Sequence, residues 1–325
     1  MVRGGDHPDH GIRARPGHAL GSPVPPSPLR VHAALIAVSL LFGANYVFTK
    51  RILEVVPPAS WVMIRIAAAA ALLLLLAAKL GRGRPPASAV SWLLVASILG
   101  VSLNQVLFTE GLSRTRSEHS AVINACIPTW TLLLAVLFRQ ERLSWSKALS
   151  VAAALAGVLV LMRADELLGA GRTGHPAWMT AGEVAGDLLT LGNGVSFSLH
   201  LLIVRRIGSR VDPWIATALM FAMAALMVPA YSLPRMAFED LARIAEPPVL
   251  WFALYAVLAA TVLTYSLNTW ALRHTHSSQV ALYINAQPIV AAALGSWFGM
   301  PAPDWRFFAA VAGVGTGLWL QTRKA

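Results

Sequence analysis

The side chains with the clearest capacity for chemistry are carboxamides inside long apolar stretches of the chain. A polar group in the core of a bilayer is costly unless it faces an internal cavity or another polar group. Each carboxamide can both donate and accept hydrogen bonds, so a converging set could bind a small polar solute. The candidate substrate-binding residues are Asn45, Asn104, Gln105, Asn124, Asn193, Asn268, Asn285 and Gln287.

Two prolines, Pro128 and Pro288, lie near the middle of two of these stretches. A proline inside a helix leaves the carbonyl four residues earlier without its donor, here the carbonyls of Asn124 and Ile284. We therefore predict helix breaks, with a gating role, beside amides that line a cavity. For any single amide the sequence leaves an alternative open, which is an ordinary hydrogen bond between neighbouring helices.

Three ionisable residues also lie within or at the ends of apolar stretches: Arg65, Glu110 and Asp187. Arg65 is close to the start of its stretch, so its long side chain could snorkel to the interface or pair with Asp187. We favour a structural anchor for Arg65, and contact with an anionic substrate is the alternative. Proton coupling through Asp187 or Glu110 is a further hypothesis.

No motif for catalysis or for a cofactor accompanies these residues. The sequence has no H-E-x-x-H metal spacing, no G-x-S-x-G nucleophile elbow and no Walker A loop. We therefore predict no catalytic residues, no metal, no cofactor and no ATP drive from this chain.

The composition places these residues in a membrane. Of the 325 residues, 56% are hydrophobic and only 13% are charged, and the mean hydropathy is +0.61. A soluble globule of this size would be far more polar. The net charge of +11 does not indicate nucleic acid, because Lys and Arg lie between the apolar spans rather than on one surface. The predicted partners are a small-molecule solute and the lipid bilayer.

The predicted fold class is an all-α integral membrane protein with ten transmembrane helices. Each apolar span has about 18 to 24 residues, enough to cross a bilayer core. We place the spans at 32–52, 60–79, 90–110, 117–138, 146–163, 183–204, 213–232, 249–270, 277–298 and 304–321. Residues 1–31 are predicted to be a disordered cytoplasmic tail, 32–163 a first five-helix unit, 164–182 a linker and 183–321 a second unit.

The chain aligns with itself at a shift of 160 residues. Ser277 to Phe298 then lies over Ser117 to Phe138, with Pro288 on Pro128, and Trp305 falls on Trp145. An odd number of spans per unit makes the second unit run opposite to the first, so we predict two inverted repeats. Most Lys and Arg residues fall on the side of the N-terminus, which predicts that both termini are cytoplasmic.

Two blocks, from Leu40 to Arg65 and from Phe138 to Leu161, resemble the EamA domain of the drug/metabolite transporter superfamily. The matching positions in the first unit are Phe42-Gly43, Pro58, Arg65, Pro128, Glu141-Arg142 and Gly157, and those in the second are Gly186-Asp187, Pro213, Pro288 and Gly317. Phe42 departs from the usual Trp, and Met300-Pro301-Ala302 stands where an acidic turn is often found.

The resemblance implies a secondary transporter in the cytoplasmic (inner) membrane that exports small metabolites, amino acids or drugs. Alternating access around a midplane cavity between the repeats would move the solute. The alternatives are an intramembrane enzyme and a non-transporting membrane scaffold. Ala153 with Gly157, and Gly313 with Gly317, are small-residue pairs that favour close helix packing, either within one chain or in a homodimer.

Overall fold

The computed structural model describes residues 27–139, 144–161, 181–208, 210–275 and 277–322. These segments are helical, and no β-strand occurs among them. Most of the predicted tail and linker, together with Glu141 and Arg142, lie outside the described residues, so those predictions stay predictions. The first helix begins at Pro28, four residues before the predicted start of the first span.

Five helices form the first half: α1 Pro28–Leu53, α2 Pro58–Leu80, α3 Ala87–Arg114, α4 Ser117–Leu137 and α5 Trp145–Leu161. Pro28 and Pro58 each stand in the first turn of a helix. Proline is favoured there because its fixed φ suits the helix and its missing N–H would have no partner in any case.

The second half contains α6 Ala181–Ile207, α7 Pro213–Ser232, the short α8 Glu239–Ala245, α9 Val249–Leu272, α10 and α11 Trp305–Thr322. Helix α10 has three parts: Ser277–Leu282, a 3₁₀ turn over Tyr283–Ala286, and Gln287–Trp297. Asp212 caps α7 by accepting hydrogen bonds from the backbone N–H groups of Trp214 and Ile215.

Seven helices in the described part of the chain are long and apolar enough to cross a membrane: α1, α2, α3, α4, α6, α7 and α9. The protein is therefore a multi-pass membrane protein. The assignment of α5, α10 and α11 as three further spans stays a prediction.

Departures from regular helix recur at the same shift as the sequence similarity. A π-helical turn over Ile98–Ser102 interrupts α3, and one over Leu258–Leu263 interrupts α9, with starts 160 residues apart. Helix α4 breaks between Asn124 and Ile127, and α10 breaks at its 3₁₀ turn. Both breaks come just before a proline, Pro128 or Pro288. Proline has no backbone N–H group, so it cannot donate a hydrogen bond to the preceding turn.

The two halves pack into each other rather than side by side. Helix α2 packs against α7, and α5 packs against α11. In both cases the partner is the counterpart, the helix at the same position in the second half when the short α8 is set aside. In addition, α3 contacts α6 while α1 contacts α9, and α4 contacts α6 while α1 contacts α10. If each helix is replaced by its counterpart in the other half, the contact between α3 and α6 becomes the contact between α9 and α1. In the same way, the contact between α4 and α6 becomes the contact between α10 and α1.

The small-residue pairs are used inside the chain. A Cβ added at Gly313 of α11 would lie 3.0 Å from the Cα of Gly157 on α5. The two glycines therefore allow the backbones of α5 and α11 to approach closely. A homodimer stays a prediction, and this pair of glycines does not support it.

Candidate functional site

A cavity lies between the two halves. Seven of the eight predicted amides line it: Asn45, Asn104, Gln105, Asn124, Asn193, Asn268 and Gln287. They come from six helices, α1, α3 and α4 of the first half and α6, α9 and α10 of the second. The eighth, Asn285, is half-buried on α10 and does not belong to the lining.

Two of these amides hold α3 and α6 together. Nδ2 of Asn193 donates to the backbone carbonyl of Asn104 at 2.9 Å, and Nδ2 of Asn104 donates to the carbonyl of Asn193 at 3.4 Å. Both residues therefore line the cavity and also make the helix-to-helix bonds that the sequence left open as an alternative.

Tyr46 joins the two broken helices. Nδ2 of Asn124 donates to the Tyr46 hydroxyl at 3.0 Å, and this hydroxyl donates to Oε1 of Gln287 at 3.3 Å. Asn124 lies at the break in α4, and Gln287 directly follows the 3₁₀ turn of α10. The buried Oδ1 of Asn124 has no hydrogen-bond partner, so it can still accept from a solute.

Tyr265 on α9 reaches the π turn of α3. Its hydroxyl donates to the carbonyl of Gly100 at 3.0 Å and accepts from Nε2 of Gln105 at 3.3 Å. Sequence analysis missed both Tyr46 and Tyr265, because it considered only amides and charged groups. The available signal was a phenol inside an apolar span, which in a membrane also needs a polar partner.

Arg65 does not reach the interface. Its side chain is only 1% exposed and belongs to the cavity lining. Nε donates to Oγ1 of Thr261 at 2.8 Å, and Nη2 donates to the carbonyl of Ala260 at 3.4 Å. The predicted snorkelling was wrong, because the packing of α2 on the second half turns this side chain inward, towards the π turn of α9.

The predicted pair between Arg65 and Asp187 was also wrong. Asp187 accepts a hydrogen bond from Oγ1 of Thr115 at 2.5 Å, and Nδ1 of His119 lies 4.0 Å from its other oxygen. Asp187 is buried beside the end of α3, where the close contact between α3 and α6 places it, and it does not line the cavity.

Glu110 likewise lies outside the cavity lining. It forms an ion pair with Arg114, one turn further along α3, and accepts a hydrogen bond from the hydroxyl of Tyr231 on α7. The proton-coupling hypothesis for Asp187 and Glu110 therefore stays a hypothesis about residues away from the cavity wall.

Half-buried aromatic rings pack around α1 just beyond the part of this helix that lines the cavity. The lining on α1 stops at Tyr46. Two residues later, the ring of Phe48 meets those of Phe252, Tyr255 and Phe298 at centroid distances of 4.7 to 5.7 Å. We call these four rings the aromatic cluster.

Lys50 adds a polar clamp at the same end. Its Nζ donates to the carbonyls of Leu112 at 2.8 Å, Ser113 at 3.2 Å and Thr115 at 2.7 Å, around the C-terminus of α3. A cation is favourable there because the last carbonyls of a helix lack backbone donors. The clamp ties α1 to α3.

At the opposite end of the cavity, hydrogen bonds join α1 to α10. A hydrogen bond joins Nδ1 of His32 to the hydroxyl of Tyr283, and the hydroxyl of Ser39 donates to the carbonyl of Tyr283. These bonds link the N-terminal part of α1 to the 3₁₀ turn of α10. Among the described residues, the aromatic cluster and the Lys50 clamp therefore lie at one end of the cavity, and the hydrogen bonds to Tyr283 lie at the other.

No metal site accompanies the cavity in the described ranges, where no three His, Cys, Asp or Glu side chains come together. The chemistry that the wall offers is hydrogen bonding by amides and phenols, one guanidinium, and apolar contact with residues such as Phe42, Phe108 and Phe197. This set binds and orients a solute and contains no nucleophile activated by a base.

Comparison with known sequences decides the family. The sequence profile of the EamA-like transporter family matches this chain twice, over residues 29–163 and 184–323. The chain belongs to the EamA-like transporter family. The resemblance seen in the sequence is confirmed, and a transporter role follows from the family.

Individual relatives of this EamA protein are also named as transporters. The uncharacterized transporter YyaM of Bacillus subtilis (strain 168) is 23% identical over 287 residues, 87% of this chain and 90% of YyaM. An uncharacterized transporter of Archaeoglobus fulgidus is 22% identical over 300 residues, 91% of this chain and 98% of that protein. These names agree with the prediction that the chain is not an enzyme.

A third relative has a more specific name. The probable terminal-alkyne amino-acid exporter of Streptantibioticus cattleyicolor is 24% identical over 159 residues, 48% of this chain and 51% of that protein. Among solved structures, one crystal structure superimposes with a TM-score of 0.63 at 16% identity, covering 90% of this chain and 96% of the other. That match supports the fold.

Proposed function

We propose that this EamA protein is a secondary transporter that exports a small polar solute across the cytoplasmic membrane by alternating access. The observation that carries the proposal is the cavity itself, whose seven amides come from six helices of both halves. A site shared between repeats changes its exposure when one repeat rocks against the other. A wall lined by amides also binds a small polar metabolite better than an apolar wall does.

The two ends of the cavity support this mechanism. One end has the aromatic cluster and the Lys50 clamp, and the other has the bonds between α1 and Tyr283. With both termini in the cytoplasm, as the distribution of Lys and Arg predicts, the end with the aromatic cluster and the Lys50 clamp faces outward. We infer that these contacts hold the outward end together in this form of the protein.

The backbone breaks supply the moving parts. Helices α4 and α10 are both interrupted beside the cavity, at Asn124 and at Tyr283–Ala286. Irregular backbone at membrane depth is tolerated where it lines a cavity, and it lets the two parts of a helix tilt separately. We propose inverted repeats on the same grounds, since the breaks and the π turns recur at one shift. The relative named as an amino-acid exporter supports export of small metabolites.

A matched pair of substitutions on α1 tests the passage. Val38 lines the cavity and is 4% exposed, whereas Leu40, two residues away, is 50% exposed and outside the lining. Val38→Trp fills the passage, while Leu40→Trp adds the same group to the outer surface. Counterflow of labelled amino acids and small organic acids should be measured in proteoliposomes with each variant and with the unaltered protein.

The proposal predicts that Val38→Trp lowers counterflow at least tenfold and that Leu40→Trp leaves it within about twofold of the unaltered protein. Equal effects of the two variants would place the passage elsewhere. Absence of flux for every labelled solute with the unaltered protein would favour the scaffold or the enzyme.

A further inference from the structure

We propose that Arg65 binds the carboxylate of the transported solute, and that the cavity selects small organic acids over neutral amides and over amines. This inference rests on the proposed function, because it concerns the same cavity. It goes further by naming the chemical class of solute and the residue that recognises it.

The charge of the wall is the first observation. Arg65 is the one ionised side chain among the lining residues that the structure describes, and no Asp, Glu or Lys belongs to that lining. The wall therefore carries a single positive charge surrounded by amides, phenols and apolar groups. Such a wall attracts an anion and offers no counter-charge to a cation.

The second observation is that the guanidinium lacks a counter-charge among the described residues. Arg65 is 1% exposed, both of its hydrogen bonds go to neutral oxygens, and its Nη1 is buried without a hydrogen-bond partner. No carboxylate in the described residues lies within ion-pair distance of it. A buried cation without a counter-charge is unfavourable, so binding an oxyanion relieves the protein of that cost.

The geometry suits a carboxylate in particular. A guanidinium presents its N–H groups as a planar fork that matches the two oxygens of a carboxylate. Thr261 holds one side of this fork: its own hydroxyl proton is used on the carbonyl of Ala256 at 2.6 Å, so its lone pair faces Nε of Arg65. The fork is therefore fixed in place before the solute arrives.

The rest of the wall narrows the class. Gln105 and Asn124 each keep a buried side-chain oxygen without a hydrogen-bond partner, and these oxygens suit neutral N–H or O–H donors. The lining carboxamides cannot neutralise an ammonium group as a carboxylate would. We therefore infer a preference for hydroxy, aryl or N-acyl acids, with free α-amino acids bound more weakly.

Binding to the purified full-length protein in detergent tests this class directly. The probes are matched triplets that differ in charge: benzoate, benzamide and benzylamine, and N-acetylphenylalanine, its carboxamide and phenylalanine. Isothermal titration should show each acid binding at least tenfold more tightly than its amide or amine partner. Equal binding within a triplet, tighter binding of the amide or amine, or no binding by either acid would overturn the inference.

A substitution then assigns the effect to Arg65. Arg65→Gln should weaken binding of the acids at least tenfold and leave the amides unchanged, and Arg65→Lys should restore part of the loss. Arg306→Gln is the matched control, because Arg306 is also buried in a helix but lies outside the cavity lining. Equal losses in Arg65→Gln and Arg306→Gln would contradict the assignment.

The unaltered protein keeps the inference testable if Arg65→Gln does not fold, because the comparison within each triplet needs no variant. Counterflow of the same labelled probes separates the two proposals. Movement of amides or amines but not of acids would leave the transporter proposal standing and remove this one. If none of the probes and none of the labelled amino acids moves, the transporter proposal itself fails.

Discussion

The π turn of α3 spans Ile98–Ser102, and the turn of α9 that matches it at a shift of 160 residues spans Leu258–Leu263. At the first turn, the carbonyl of Gly100 accepts the hydroxyl of Tyr265, and the ring of His200 fills the place that a side chain at Gly100 would occupy. Every partner at this turn is an uncharged group or a buried ring.

The second turn has a different partner. Ala260 stands at the position equivalent to Gly100, and its carbonyl and the neighbouring Thr261 hydroxyl accept from Arg65. A π turn frees backbone groups for such contacts, which is why these turns are frequent at functional sites. The two halves therefore keep the same π turn while the side chains that contact it differ. As a result, only the turn in α9 holds a charged side chain at the cavity wall.

Among the substitutions that test this comparison, Gly100→Ala should cause the largest loss of stability. A Cβ at Gly100 would lie 1.8 Å from Nδ1 of His200, whose ring is buried and hydrogen-bonded to the carbonyl of Ala96. Overpacking of this kind costs up to about 3 kcal/mol. Unfolding in detergent, followed by circular dichroism against denaturant, measures the loss of stability.

The matched variant for Gly100→Ala is Ala260→Gly, which should cost no more than about 1 kcal/mol because it adds only backbone freedom. Replacing His200 by Ala in the Gly100→Ala background should recover part of the lost stability. Equal costs for Gly100→Ala and Ala260→Gly would show that the two turns are packed alike, contrary to the comparison.

Thr261→Val and Tyr265→Phe compare the polar partners of the two turns. Thr261→Val removes an acceptor from a charged donor, which costs roughly 2 kcal/mol, whereas Tyr265→Phe removes neutral hydrogen bonds worth about 1 kcal/mol. The free energy of unfolding should therefore fall further in Thr261→Val. A larger loss in Tyr265→Phe would mean that the neutral turn is the more demanding of the two.

Asn193→Leu should give the smallest effect. It removes both the donor to the carbonyl of Asn104 and a polar group from the cavity wall. Hydrogen bonds between membrane helices average about 0.6 kcal/mol, so stability should change little. The free energy of solute binding should change more than the free energy of unfolding. A variant that is less stable but binds solute unchanged per folded molecule would assign Asn193 to packing alone.

The cavity could be predicted from the sequence to the extent that membrane physics restricts polar groups. Seven amides line it because a carboxamide in lipid has few other places to go, and Pro128 and Pro288 mark the breaks because proline cannot complete the preceding turn. These are local properties of residue type and depth, which a sequence displays directly.

Other features depend on how helices rotate and pack. Whether Arg65 faces lipid or the interior is decided by the contact of α2 with the second half, and its distance from the end of the span does not reveal that contact. The sequence alone does not distinguish Tyr46 and Tyr265 from aromatic residues that only pack in the core. The π turns carry no distinctive residue pattern, since Gly100 and Ala260 differ at equivalent positions.

The most direct test of the account is chemical access to the cavity from each face of the membrane. Asn45→Cys places a thiol in the cavity wall of a Cys126→Ala background, which removes the single native cysteine. A membrane-impermeant maleimide should then be applied separately to the inside and the outside of oriented vesicles. We predict labelling from both faces, slowed in each case by a bound solute. Labelling from one face only under every condition, or from neither, would contradict alternating access through this cavity.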